Sequence, residues 1–531
     1  MLRDLLIALS LANLCGFRIW QELLNGKLAF YGKSAPTEIV IAALLNVLLL
    51  GTVFFAGATL ARRSGRAALW SAARWMFLLV ILANLRFGRL AFDFFDRAGW
   101  LGVTAWIVLL GLVLAVLAIW GQRIAHGAAL LLLLASPFVL VTASRGMWLL
   151  YRVLHMNFND HPAAQGGARK PAVPASRVLW IVFDELDQRL AFGERPATLP
   201  LPEFDRFRAV ALYAPNAYPP ARMTELSMPA LFTGNLTARV EPQGSDELLL
   251  WFGDEKGRAQ DEPHQWSTQP GVFGRVREAG GKAALIGWYH PYCRVLEGMT
   301  RCHWRDGPLL LGGLRRDATI PQAIYDQAME TMNTLFRLTR LGMLQERLRR
   351  ERAANAQDYT ALLEAGKELA ADPSYSLVVV HLPAPHPIGF YDRSRREFRL
   401  DGGPSYLDNL ALADRALGEL RRAMELGAVG ERTTVVLTSD HWWRADFWRR
   451  QPGWTPEDEA AYSGRLDHRV PLLVSFPGQQ QPLVFAKPLN TVVLHDLTLA
   501  ILDGGIEGAP ASVGWLEVRA TFGESPYNQS K

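Results

Sequence analysis

Apolar positions crowd the first 156 residues of this 531-residue chain and are broken there only by short charged loops. Residues 39–60 and 101–120 contain no charged side chain, and each run is long enough to cross a bilayer. Residues 5–24 form a third run with Arg18 and Glu22 near its end, and 68–85 a fourth that carries Arg74. A fifth, 128–141, extends naturally to 143. Long basic side chains near a span end can reach the interface. The pattern therefore predicts five spanning helices. A cleaved signal peptide at 5–24 is the alternative, and no small-residue cleavage site supports it. The connection after the second span holds Arg62, Arg63 and Arg66, and that after the fourth holds Arg123, without acids. The positive-inside rule puts these loops in the cytoplasm, the N-terminus inside and everything after Val141 outside.

The texture changes beyond 156. Residues 147–156 suit an interfacial helix, and 157–176 are rich in proline, glycine and alanine with no apolar period, as in a linker. From Arg177 short apolar runs alternate with helical stretches: strands are expected at 178–183, 283–287, 376–380, 433–438 and 471–476, and helix over most of 321–370. Alternation of this kind predicts an α/β domain with a mostly parallel sheet. The organisation expected is a helical membrane domain at 1–156, a linker at 157–176 and an extracytoplasmic domain at 177–531, long enough for a full core.

Composition narrows the function classes. Half of the residues are hydrophobic and 20% charged, too apolar for a disordered chain. A net charge of +5 over this length does not suggest a nucleic-acid partner. Three cysteines exclude a disulfide-built scaffold or a cysteine-rich zinc module. Cys293 and Cys302, nine positions apart in an exported domain, should pair, while Cys15 sits in the first span. The 17 tryptophans suit membrane interfaces as well as cores. Arg337, Arg340, Arg347, Arg349, Arg350 and Arg352 cluster on one expected helix, either as a solvated face or as a contact with anionic lipid heads.

In open α/β sheets ligands bind beyond the carboxyl ends of the strands. Here one strand ends in Asp184-Glu185, another in His381 with His386 close behind, and a third in Ser439-Asp440-His441. Carboxylates and imidazoles without thiolates suit zinc or manganese, or magnesium and calcium where the imidazoles stay outside the ligand set.

Residues 216–234 read N-A-Y-P-P-A-R-M-T-E-L-S-M-P-A-L-F-T-G. With the acidic strand end before it, this segment resembles the alkaline phosphatase/sulfatase superfamily. In that superfamily a nucleophile lies ten residues before the glycine of a leucine-x-threonine-glycine turn. Gly234 then points to Thr224. The segment holds no cysteine, and no arginine follows Pro229 in the way a formylglycine motif requires. Threonine with a following Ser-x-Pro is similar to the membrane-bound phosphoethanolamine transferases and lipoteichoic-acid synthases, which have five spans and an extracytoplasmic catalytic domain. Further matches are H-L-P-A-P-H-P at 381–387, T-S-D-H at 438–441, H-R-V-P-L-L-V at 468–474 and T-V-V-L-H-D-L-T-L-A-I-L-D at 491–503. Phosphoethanolamine transferases usually carry Gly-Glu-Thr-Ala where this chain has Phe183-Asp184-Glu185-Leu186.

The resemblance implies a bacterial inner-membrane enzyme whose catalytic domain, an alkaline phosphatase/sulfatase-like sandwich, faces the periplasm or cell exterior. A divalent metal, zinc first and manganese, magnesium or calcium as alternatives, would be held by Asp184, Asp440, His441 and Thr224. Glu185 is either a further ligand or a neighbour that positions one. Thr224 would take a phosphoethanolamine or phosphoglycerol head group from a phospholipid donor as a covalent phosphothreonine. It would then pass the group to a glycan, lipid or polymer acceptor in the cell envelope. His386 and His468, and less surely His381, would bind phosphoryl oxygens or protonate the leaving group. Other readings remain. Thr224 is also placed to cap a helix, the same intermediate resolved by water gives a phosphodiesterase or sulfatase-like hydrolase, and a degenerate domain would be a membrane scaffold. Ser227 reads as structural and His290 and His303 as loop residues. Trp442, Trp443, Trp448 and Trp454 either line the mouth of the site or pack.

Overall fold

A computed structural model describes residues 1–24, 26–84, 87–162, 176–306, 318–336 and 343–528. Arg337, Arg340 and most of the expected linker lie outside the described residues. The chain divides into two units: Met1–Met156 with Leu309–Leu344, and Asn157–Pro308 with Gln345–Lys531.

The first unit is helical: α1 (Leu2–Cys15), α2 (Phe17–Leu24), α3 (Lys27–Tyr31), α4 (Thr37–Arg63), α5 (Ala67–Asn84), α6 (Phe87–Leu134) and α7 (Pro137–Leu154). Among the described residues, three stretches are long and apolar enough to cross a membrane: α4, α5 and Ile107–Leu134 within α6. Two expected spans differ. Residues 5–24 break at Gly16, whose N–H closes α1 on Ala12 O. Residues 128–143 straddle a turn at Ala135-Ser136, because Pro137 has no N–H to continue a helix and instead opens α7.

A later helix, α12 (Ile320–Phe336), also belongs to this unit, although its position in sequence falls inside the expected catalytic domain. The cause is local. Ala42 of α4 packs with Ala318 and Ala323, and side chains this small let backbones approach closely. Asn46, in the apolar run of α4, donates to Ile324 O at 3.2 Å and Gln327 Oε1 at 3.1 Å, and Gln327 Nε2 donates to Ile39 O at 2.7 Å. Arg18 pairs with Glu330 at 3.4 Å. An amide in an apolar helix needs such partners.

Among the described residues, the second unit holds three sheets built from β1 (Arg177–Asp184), β2 (Leu212–Tyr218), β3 (Thr237–Pro242), β4 (Leu248–Phe252), β5 (His264–Gln265), β6 (Ala283–Tyr289), β7 (Arg301–Asp306), β8 (Leu377–Pro385), β9 (Tyr391–Asp392), β10 (Glu397–Phe398), β11 (Thr433–Ser439), β12 (Val470–Ser475), β13 (Leu483–Val484) and β14 (Leu489–Asn490). The nine-stranded main sheet has the order β13-β2-β12-β11-β1-β8-β6-β7, with β14 beside β2. From β11 to β7 all pairings are parallel, and β12 runs antiparallel between β11 and β2. Every residue of β1 is buried, as a central parallel strand covered on both faces requires.

One face packs under α8 (Pro202–Arg208), α13 (Met343–Ala371) and α14 (Tyr406–Leu426). Ile181, Val380, Leu362, Leu410 and Leu417 share that core. The other carries α9 (Thr224–Thr233), α10 (Val272–Glu278) and α17 (Leu494–Leu502), where Phe232 meets Trp180 and Phe273 edge-on. The remaining helices are α11 (Tyr292–Val295), α15 (Ala445–Trp448), α16 (Pro456–Tyr462) and α18 (Ala509–Arg519). A disulfide joins Cys293 of α11 to Cys302 of β7. On α13, Arg347, Arg349 and Arg350 pair with acids, and Arg352 is buried and donates to Gly389 O and Leu400 O.

Candidate functional site

Parallel pairing brings the ends of three strands to one edge. Asp184 stands opposite Pro385 of β8, and Phe183 opposite Ser439 of β11, one residue before Asp440. Ser439 fastens this rim: its hydroxyl accepts from Leu186 N at 2.8 Å and donates to His441 O at 2.7 Å. Thr224 arrives from β2 through residues 219–223 and opens α9, where free N–H groups and the helix dipole favour negative charge. Ser227 holds that approach by donating to Ala221 O at 2.7 Å. The helix closes at Gly234, whose φ of 73° is the left-handed conformation a glycine adopts without strain.

The hydroxyl of Thr224 donates to Asp440 Oδ2 at 2.7 Å and lies 3.3 Å from His441 Nε2. Asp440 Oδ1 accepts from the backbone N–H groups of Glu185 and His441 at 3.2 and 2.7 Å. His441 Nδ1 faces Trp442 O at 3.0 Å, so that nitrogen carries the ring proton. Its Nε2 then presents a lone pair 3.7 Å from Asp184 Oδ1 and 3.5 Å from Asp440 Oδ2. Both carboxylate oxygens of Asp184 are buried without a hydrogen-bond partner. Three electron-pair donors therefore converge with only one hydroxyl proton between them, and all are buried. Such an arrangement is costly without a cation and fits a divalent one. Burial, with Asp440 and Glu185 nearby, pushes the Asp184 carboxyl well above its ordinary range, and burial pushes Asp440 up to about 7.

Asp184, Glu185 and His386 form a second, overlapping group. Glu185 has a φ of 62° and is anchored through its carbonyl, which accepts from Tyr406 Oη at 2.6 Å. Its carboxylate accepts from Arg444 Nε and Nη2 at 2.8 and 2.5 Å, from Arg444 N, and from Trp448 Nε1. His386 packs edge-on against Trp288 and Trp448, and its Nδ1 is buried without a partner. Burial, and for His386 also the Arg444 charge, lowers the His386 and His381 imidazoles to about 3. Of the two roles expected for them, binding phosphoryl oxygens or protonating a leaving group, the lowered values favour the first.

The other expected site residues are outside these two groups. His381 Nδ1 faces Tyr292 Oη at 3.2 Å. His468 pairs with Glu524 at 2.6 Å and stacks on Trp442. Trp442 and Trp443 are buried, Trp443 stacking between Tyr406 and Trp454, so these two pack. Of three further residues at the site, His290 was read only as a loop residue, and Tyr289 and Arg444 escaped the sequence reading. His290 is buried and its Nε2 donates to Thr224 O at 3.1 Å. Tyr289 donates to Glu225 Oε1 at 2.8 Å. Arg444 captures Glu185. For the first two a signal existed, since both stand at the carboxyl end of β6.

The sulfatase family model matches residues 176–503. The chain belongs to the sulfatase family. Members of the wider superfamily with alkaline phosphatase use a divalent metal, and the acid and imidazole cluster at this domain's strand ends is of a kind to hold one. No curated protein matches the chain by sequence. Solved structures similar to it include Ps i-CgsB (16% identity, TM-score 0.41, covering 66% of this chain and 74% of that one). A protein of the alkaline phosphatase superfamily from Vibrio parahaemolyticus is similar at 13% identity (TM-score 0.36, 65% and 69% covered). The phosphonate monoester hydrolase of Agrobacterium radiobacter is similar at 12% (TM-score 0.36, 63% and 78% covered).

Proposed function

We propose that this sulfatase-family domain is a metal-dependent phosphotransferase that moves a phospholipid head group through a covalent phosphothreonine on Thr224. The observation that carries the reading is the Thr224 hydroxyl, 2.7 Å from Asp440 Oδ2 at the start of α9, among the convergent donors of Asp184 and His441. An unmodified alcohol is a weak nucleophile. A divalent cation bound by Asp184, Asp440, His441 and Thr224 would lower the hydroxyl's pKa and offset charge on the phosphoryl oxygens. The chain's own residues do the rest. Asp440 holds the hydroxyl proton at Oδ2, the α9 N-terminus favours the developing alkoxide, and His386 is placed near non-bridging oxygens as a neutral group. Thr224 Oγ1 attacks phosphorus as its proton passes to Asp440 Oδ2, the bond to the lipid alcohol breaks and that oxygen leaves with a proton taken from water, and an acceptor hydroxyl, giving up its own proton, later displaces Thr224.

The membrane placement belongs to the same proposal. α1 and α7 complete five spans with α4, α5 and Ile107–Leu134, and the basic loop at Arg62–Arg66 stays inside, whereas Arg123, expected in a loop, lies within α6. The donor is then a phospholipid of the same membrane and the acceptor a glycan, lipid or polymer of the envelope. A second reading, hydrolysis of a phosphate or sulfate ester, draws on membership of the sulfatase family.

Incubation of the full-length protein with phospholipid labelled in its head group separates the two. Label on a second molecule means transfer, and free head group alone means hydrolysis. Mass spectrometry of the Thr224 peptide, quenched during turnover, should show the added phosphoryl group. An unmodified Thr224 alongside full turnover would sink both versions.

A further inference from the structure

Two overlapping ligand groups share Asp184, yet they are not equivalent. Around Asp184, Asp440 and His441, carboxylate oxygens and an imidazole lone pair face one another with a single hydroxyl proton to share. Around Asp184, Glu185 and His386 a positive charge is already present. A carboxylate offers about four lone-pair sites. Arg444 Nε and Nη2 donate to Glu185 Oε1, Arg444 N donates to Oε2, and Trp448 Nε1 lies 3.0 and 2.9 Å from the two oxygens. Glu185 is fully buried and its lone pairs are committed. The guanidinium stands 2.5 Å from Glu185 Oε1 and so directly beside this group, of which Glu185 is a member.

Resting on the metal-dependent reading above, we propose that Glu185 is the counter-ion of Arg444 and not a metal ligand, and that the guanidinium takes the place a second cation would fill. Charge bookkeeping agrees. One divalent cation neutralises Asp184 and Asp440, and the Glu185–Arg444 pair is neutral by itself. His386 Nδ1, buried and without a partner, is then left for the incoming ester rather than for an ion. So are the N–H groups of Arg444 that Glu185 does not use. This side chain is 22% exposed, enough to meet an anion entering from solvent. The pairing rests on three features of this sequence acting together: a glutamate directly after the strand-end aspartate, an arginine three residues beyond His441, and a tryptophan four residues after that arginine.

The test counts metal ions in the full-length protein in detergent, loaded with zinc alone and freed of excess. Wild type should carry one ion per chain and Glu185→Gln should also carry one, because the amide still accepts from Arg444. Arg444→Ala frees Glu185 beside His386 and should carry two. Loss of the ion in Glu185→Gln, two ions in wild type, or one ion in a folded Arg444→Ala would each overturn the proposal. If Arg444→Ala does not fold, Glu185→Gln decides alone. The count needs no turnover. Failure to transfer any head group, with the counts intact, removes the phosphotransferase reading and leaves this one standing. A wild type that binds no ion removes both.

Discussion

The Thr224 hydroxyl donates to Asp440 Oδ2 across 2.7 Å, although 216 positions separate the two residues in the chain. The nucleophile proposed here thus depends on the sheet: β2 delivers one partner, β11 the other, and β12 lies between them. Thr224→Ala should lower turnover by about 10³-fold or more and leave the far-ultraviolet spectrum and melting temperature close to wild type. Thr224→Ser keeps the hydroxyl and should retain measurable activity. Steady-state rates on labelled lipid, with a melt on each variant, check this.

Asp184 opposes its own site when no cation is present. Burial and the neighbouring Asp440 and Glu185 raise its carboxyl well above the ordinary range, so its charge is a cost to the metal-free fold. Asp184→Asn should raise the metal-free melting temperature by roughly 2 °C or more. The same change should abolish the rise that wild type shows on adding zinc. A paired melt with and without metal reads both signs.

Much of this site was legible because buried parallel strands announce themselves. The runs ending at Asp184, His381 and Ser439 are nearly continuous apolar stretches, and ligands gather beyond such ends. β2 was missed because L-Y-A-P-N-A-Y contains a proline and an asparagine and has no β-branched residue. β6 was expected only as far as Gly287, so His290, which follows the strand's true end at Tyr289, was read as an ordinary loop residue. Arg444 could not be read at all. Its bond to Glu185 spans 259 positions and exists only once β1 and β11 are side by side. His468 failed in the opposite way: it stands just before β12, but its ring is taken by Glu524 and Trp442.

Away from the site, Asp414 on α14 accepts from Phe204 N at 2.7 Å, and burial raises its carboxyl to about 6 from an ordinary 3.8. A folded value above the unfolded one means stability that is whole below about pH 3.8 and lost as pH rises through about 6. Asp414→Asn keeps the acceptor and removes the charge. The variant should match wild type near pH 4 and exceed it by on the order of 2 kcal/mol at pH 7.5. Denaturant melts at the two pH values decide it, and a constant difference would refute it.

The Cys293–Cys302 bridge closes a loop of nine positions between α11 and the edge strand β7. Replacing both cysteines by alanine should cost about 2.5 kcal/mol in the chain-entropy picture. Reductant should lower the wild-type melting temperature and leave that of the double variant unchanged.

The return of α12 to the helical unit bears on how this enzyme can be handled. A fragment beginning at residue 157 keeps Ile320–Phe336 but discards α4, and with it Ala42 and the Asn46 amide that the helix leans on. Cutting away the anchor therefore exposes a greasy flank, and water-solubility requires removing 309–344 as well. Chain order and folding unit part company here: the last piece of the anchor is translated only after the strands β1 to β7 of the catalytic domain, so the anchor cannot be finished first.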